Sequence, residues 1–120
     1  MRNVLVAAGW AWAAAIVWLS LMPSPPELGI AHGDKLGHFA AYGLLMLWFT
    51  QLYAARRSRL AHAGVFVAMG VALEFLQGAL GDRSHDIFDM YANTLGVALG
   101  WALGAFLRPR FPRPADQPWL

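Results

Sequence analysis

The chain has 120 residues, enough for one domain but not for two independent cores. It is 58% hydrophobic and 13% charged, against roughly 45–50% and about 25% in soluble domains, so the excess apolar surface must face lipid. The absence of cysteine excludes disulfides, thiolate metal sites and a cysteine nucleophile, and a net charge of +2 is too small to argue for nucleic acid.

The first apolar run, Val4 to Met22, carries no charge and is long enough to cross a bilayer, which takes about 20 residues. Arg2 precedes it, as in a signal peptide. The run is too long for a signal core, however, and Ser20-Leu21-Met22-Pro23 is a poor cleavage site, so it is read as a retained anchor. Pro23, Pro25 and Pro26 make a stiff exit. The second run, Leu36 to Ala55, includes His38, Tyr42 and Gln51; the third, Leu60 to Leu80, includes Glu74 and Gln77. The fourth, Ile87 to Leu107, includes Asp89 and Asn93. These runs are too long and too evenly apolar for barrel strands, so the expected fold is all-α, an integral membrane bundle of four transmembrane helices. Residues 1–107 form the membrane domain, and 108–120, with Pro109, Pro112, Pro114 and Pro118, form an extended tail.

Seven of the nine Lys and Arg residues fall on one side of this arrangement: Arg2, Arg56, Arg57, Arg59, Arg108, Arg110 and Arg113. The positive-inside rule makes that side cytoplasmic, giving an N-in/C-in topology. The acidic residues show the reverse bias. Glu27, Asp34, Glu74, Asp82, Asp86 and Asp89 lie in the outer half, and only Asp116 lies in the tail.

Several of these polar residues share helical faces. Asp34, His38 and Tyr42 are spaced by four; Gly70, Glu74, Gln77 and Gly81 follow a four-three-four spacing; Asp86, Asp89, Asn93, Gly96, Gly100 and Gly104 fall on one stripe. If the chain turns near Arg83 and Ser84, Glu74 lies level with Asn93, roughly 10 Å beneath the outer end of its helix, and Tyr42 lies at a similar depth. An ionisable group there costs about 2–3 kcal/mol or more facing lipid. Glu74 is therefore expected to face the bundle, with His38, Lys35 or Arg83 as its cationic partner. The glycines Gly96, Gly100 and Gly104 permit close helix approach, within the bundle or across a homodimer. His62 reads as an interfacial residue and the tryptophans as a lipid-facing belt.

Asp34-Lys35-x-x-His38-Phe39-x-x-Tyr42, then Glu74-x-x-Gln77, then Arg83-x-x-Asp86-x-x-Asp89-x-x-x-Asn93-x-x-Gly96, resembles the VanZ-like family of bacterial membrane proteins, over about residues 34 to 104. The resemblance implies a multi-pass protein of the bacterial inner membrane with a link to the cell envelope. The family's namesake is associated with teicoplanin resistance.

Three readings of the cluster stand open. It is a structural polar network; or it is a ligand site formed by Asp34, Lys35, His38, Tyr42, Glu74, Gln77, Arg83, Asp86, Asp89 and Asn93; or it is catalytic, with Glu74, His38 and Asp89 as the candidates. The ligand would be membrane lipid or a lipid-linked or peptidoglycan-related polar group, held by Lys35, His38 and Arg83 at a phosphate or carboxylate and by the carboxylates at hydroxyls or amines. His38, Glu74, Asp86 and Asp89 are the residues that could gather round a Mg, Mn or Zn ion. No H-E-x-x-H pair is present, and neither a metal nor a cofactor is expected.

The charge pattern predicts that cysteines placed at Ser24 and Ser84 react with an impermeant thiol reagent in intact cells, whereas one at Ser58 does not. Labelling at Ser58 alone would reverse the orientation.

Overall fold

The computed structural model describes residues 1–22, 29, 33–80 and 87–107. The tail and the segment with Arg83 and Asp86 lie outside the described residues. Four helices occur in order, α1 (Arg2–Leu21), α2 (Gly33–Leu52), α3 (Arg56–Leu80) and α4 (Ile87–Phe106), and no strand occurs among the described residues. At 1.5 Å per residue each is about 30 Å long or more. The expected boundaries shift only at the ends. Helix α2 starts at Gly33 and α3 at Arg56, because the helical backbone continues through charged residues that an apolar run does not include.

Local chemistry explains the stops. Met22 ends α1 in an extended conformation, φ −66° and ψ 136°, as a residue preceding proline must, since the ring of Pro23 disfavours helical geometry before it. The end of α2 is held by a side chain of the next helix. Arg59 donates from Nε to the Tyr53 carbonyl at 2.7 Å and from Nη2 to the Thr50 carbonyl at 2.8 Å. A guanidinium there satisfies carbonyls that the helix leaves open and complements the negative end of its dipole. At the opposite pole Asp34 and Asp89 sit in the first turns of α2 and α4, the favourable end for a carboxylate.

The closest packing is between α2 and α4, which run parallel. A Cβ built on Gly96 would collide with the Phe39 carbonyl and lie 3.1 Å from the Gly43 nitrogen; on Gly100 it would collide with the Gly43 carbonyl and lie 3.0 Å from Met46 Cβ. On Gly104 it would collide with the Thr50 side chain. The glycine stripe is thus buried against α2 of the same chain, which is the packing use expected of it. A homodimer through Gly96, Gly100 and Gly104 would need that surface free.

The core runs along this seam. Tyr42, Leu45, Met46, Phe49 and Leu52 of α2 meet Phe66 and Leu73 of α3 and Val97 of α4, all buried. Helix α1 packs on α2 and α3 through Gly9, Ala13, Ile16 and Ser20, whose four-three-four spacing makes one narrow face. Gly9 is required there, because a Cβ would lie 2.7 Å from the Phe49 ring. Tryptophans fasten the contact. The Trp12 indole N–H donates to the Ala41 carbonyl at 3.1 Å and that of Trp48 to the Leu5 carbonyl at 2.9 Å. These two are interhelical ties as well as edge residues, while Trp18 is exposed as the belt reading expects.

The exterior is apolar. Trp18 and Leu19 on α1, Leu36 and Leu44 on α2, Val65 and Phe75 on α3, and Leu95, Leu99 and Leu103 on α4 are exposed. Helices α1 and α3 are long and apolar enough to cross a membrane, with mean hydropathies of 2.0 and 1.7. Helices α2 and α4 carry the polar groups and glycines of the seam.

Replacing Gly100 even by Ala should destabilise the protein by about 1–3 kcal/mol, since the added carbon meets fixed backbone. Gly64→Ala is the control, because nothing lies within 4 Å of its Cβ. Melting curves in detergent should show a lower Tm for Gly100→Ala and an unchanged or higher one for Gly64→Ala; equal curves would show that the seam has slack.

Candidate functional site

The polar residues collect at one pole, where α2 and α4 begin and α3 ends. From α2, Asp34 has a side chain 53% exposed, Lys35 29% and His38 17%, and Tyr42, two turns further on, is fully buried. The face therefore runs from surface to core within three turns. Helix α4 contributes Asp89 and Asn93, both buried, and α3 contributes Glu74 and Gln77, both buried. Each is on the inward side of its helix, where the stripe spacing placed it. Asp34 differs: it shares the stripe of His38 and Tyr42 but stands beyond the end of the packed region.

The parallel seam sets the partners. Lys35 Nζ lies 3.3 Å from Asp89 Oδ1 and 3.4 Å from Asp34 Oδ2, so it bridges two carboxylates. His38 Nδ1 lies 3.8 Å from the same Asp89 oxygen. Burial pushes the Asp34 carboxyl up, but the backbone N–H and the ammonium of Lys35 together hold it below its ordinary value.

The α3–α4 register is one turn from the expected one. A Cβ on Gly70 would lie 3.1 Å from Asn93 Cβ, so Asn93 is level with Gly70. One turn outward on each helix, Glu74 faces the level of Asp89. Folding the chain symmetrically at Arg83 and Ser84 gave Glu74 opposite Asn93; instead α3 projects about one turn beyond the start of α4. Gln77 has a structural tie, its Nε2 donating to the Ser20 carbonyl of α1 at 2.6 Å.

Asp89 Oδ1, Asn93 Oδ1 and His38 Nδ1 are buried and make no hydrogen bond, Asp89 Oδ1 being held instead by its ion pair with Lys35. Asn93 Oδ1 and His38 Nδ1 are exceptions to the rule that buried polar groups are nearly always bonded. Among the described residues no three His, Asp or Glu side chains come together as a metal site would require. Arg83 and Asp86 belong to the segment outside the described residues.

The other pole holds a cluster that the sequence pattern did not reveal. His62 stacks on Phe49 at 4.8 Å and lies 4.5 Å from the Tyr53 ring, with Trp10 and Phe66 beyond. Its Nδ1–H donates to the Ser58 carbonyl at 2.7 Å. The Arg2 guanidinium sits 5.0 Å over the Tyr53 ring and donates from Nη2 to the Leu52 carbonyl at 2.5 Å. The available signal was chemical: an arginine beside a helix C-terminus has carbonyls to bind. An apolar groove of about 630 Å³ is lined by Gly9, Trp12, Leu45 and Trp48 among others, and none of the carboxylates lines it.

Comparison with known proteins agrees with the motif pattern. The family model described as VanZ/LLP1 matches residues 3–108. A Schizosaccharomyces pombe protein described only as uncharacterized is 33% identical over 88 residues, which cover 71% of this chain and 54% of that protein. The chain therefore spans about half the length of this relative. No solved structure matches the chain. The match along nearly the whole chain, with the three polar blocks of α2, α3 and α4 inside it, makes this protein a member of the VanZ/LLP1 family.

Proposed function

We propose that the chain is a multi-pass membrane protein whose polar pole binds, or helps modify, a component of the cell envelope. The carrying observation is the inversion of the usual distribution. Asp89, Glu74 and Asn93 are buried among the helices while leucines, phenylalanines and tryptophans cover the outside of all four. An exterior of that kind suits lipid better than water, and ionisable groups within a membrane bundle mark functional positions by default. Hydropathy averages a helix over all its faces. Inward-facing Asp89, Asn93 and glycines of α4 leave its exposed stripe of Leu95, Leu99 and Leu103 apolar. All four helices are accordingly taken as spans. The poles agree with the N-in/C-in orientation, since Arg2, Arg56, Arg57 and Arg59 gather at one end and Asp34, Lys35, Asp89 and Glu74 towards the other.

A purely structural network explains less. An interhelical polar contact in a membrane contributes only about 0.6 kcal/mol on average, whereas burying so many ionisable groups is costly. The matched relative is fungal, so likeness alone brings neither a bacterial inner membrane nor teicoplanin resistance to this chain. In a bacterial host, a change in teicoplanin susceptibility is a readout of envelope handling rather than a definition of the site. Catalysis by Glu74, His38 and Asp89 would use the same pocket and be seen as turnover of the retained component.

Glu74→Gln and Asp89→Asn keep shape and some hydrogen bonding but remove charge. Both proteins should accumulate in the membrane and melt like the wild type, yet lose the envelope lipid that co-purifies with it, as read by mass spectrometry. Well-folded variants that retain the lipid would return the cluster to a structural role.

A further inference from the structure

We infer that the groove between α1, α2 and α4 holds an acyl chain of a phospholipid whose phosphate is bound by Arg2. This rests on the reading of the bundle as a membrane protein and is independent of what the polar pole takes.

The groove is a built feature. Its volume is about 630 Å³, and Ala8, Trp12, Leu44, Trp48, Gln51 and Leu107 are among the residues that line it. Small residues on α1 make the room, Ala8 and Gly9; at Gly9 a Cβ would lie 2.8 Å from Trp48 Cδ1. Both tryptophans are fixed by their indole N–H groups, Trp12 on the Ala41 carbonyl and Trp48 on the Leu5 carbonyl. The walls are thus set before any ligand arrives, as in most small-molecule sites. From Leu44 to Gln51 the groove follows α2 for about 10 Å, which suits one extended apolar chain. In a bilayer core the surrounding molecules that supply such chains are lipids.

Arg2 assigns the headgroup. Gln51 lies in the last turn of α2 and Leu107 just past the end of α4, so the groove reaches the pole of the arginines. Arg2 and Gly9 are seven apart and share a face of α1. Arg2 donates from Nη2 to the carbonyl of Leu52, the residue after Gln51. Nη1 of the same guanidinium is buried and has no hydrogen-bond partner. The Tyr53 ring at 5.0 Å attracts the charge but offers that N–H no oxygen. A buried donor left unmet is costly. A phosphate oxygen would meet it with a charge-assisted bond while Nη2 stays on α2. Arg2 as a whole is only half-buried, which leaves the phosphate a side from which to approach. Among the described residues no Asp or Glu lines the groove, and Asp34 and Asp89 pair with Lys35 at the opposite pole.

Phosphatidylglycerol and monoglucosyl diacylglycerol with matched chains share the apolar part and differ in the phosphate. The full-length protein is placed in nanodiscs holding the two in equal amounts. The lipids that stay bound after transfer to mild detergent are counted by native mass spectrometry. Phosphatidylglycerol should be enriched about tenfold, the order expected of one charge-assisted hydrogen bond. Arg2→Gln should bring the ratio close to one. Arg57→Gln removes an exposed charge from the same pole and should leave the ratio within about twofold, because exposed charges are screened. An equal fall in both variants would show a diffuse field instead of a site and overturn the inference. Ala8→Trp fills the groove from an exposed position and should abolish the enrichment without touching Arg2. If Arg2→Gln does not fold, the wild-type ratio and Ala8→Trp decide together. Equal retention by the wild type, an unchanged ratio in Ala8→Trp, or a lipid-free dimer overturns the inference, the dimer assigning the groove to a second copy. Glu74→Gln should keep the wild-type ratio, so failure of this site and failure of the polar pole are read separately. A protein that does not enter the nanodisc at all overturns the membrane reading and this inference with it.

Discussion

Everything at the polar pole depends on how closely α2 and α4 approach. Gly43 on one helix and Gly96 and Gly100 on the other let backbone meet backbone, with Gly104 accommodating Thr50 further along. Two helices separated by ordinary side chains would lie farther apart, with axes 8–10 Å from each other depending on the residues between. At glycine-lined separation, short side chains near the helix starts can reach across. Asp89 needs this, because a carboxylate on a single methylene has little reach, and Lys35 and His38 must come to it. The seam also explains why Asp89 tolerates burial: it is placed 3.3 Å from the ammonium of Lys35.

The two poles solve different problems with different chemistry. At the polar pole, helix starts and carboxylates coincide, so the dipoles of α2 and α4 favour the negative groups that the sequence supplies. At the other, α2 ends and its open carbonyls are taken by Arg2 from α1 and Arg59 from α3. These guanidiniums act as caps first and as topological markers second. The stacked rings of Phe49, Tyr53 and His62 fill the space beneath them, which keeps the turn between α2 and α3 short.

Much of this is legible in the sequence because helical geometry converts spacing into facing. The stripe from Asp89 to Gly104 and the stripe from Gly70 to Gln77 both lie inward, and the four helices begin and end close to the apolar runs that foretell them. Register is not legible in the same way. The level of Glu74 depends on how far α3 projects past α4, and nothing in residues 74 to 93 fixes that offset; the packing of Asn93 against Gly70 does. Partner choice is likewise a property of the assembled bundle. Lys35, His38 and Arg83 were the expected cationic partners of Glu74; Arg83 lies outside the described residues, and the parallel seam sets Lys35 and His38 beside Asp89. The aromatic pole was missed because Trp10, Phe49 and Tyr53 suit lipid or a bundle interior equally well, so their positions name no facing side.

The tightest seam joins helices that are not neighbours in the chain, for α3 stands between α2 and α4. Synthesis therefore delivers the two halves at different times. While α4 is still being made, α2 displays Gly43 with no partner backbone, and Lys35 and His38 have yet to meet the carboxylate of Asp89. On the membrane reading, that intermediate leaves Lys35 with Asp34 but without the second carboxylate that α4 supplies. A chain that stops before α4 is then more than a shortened protein. It presents the glycine face of α2 as an exposed, half-finished surface for quality-control machinery to recognise.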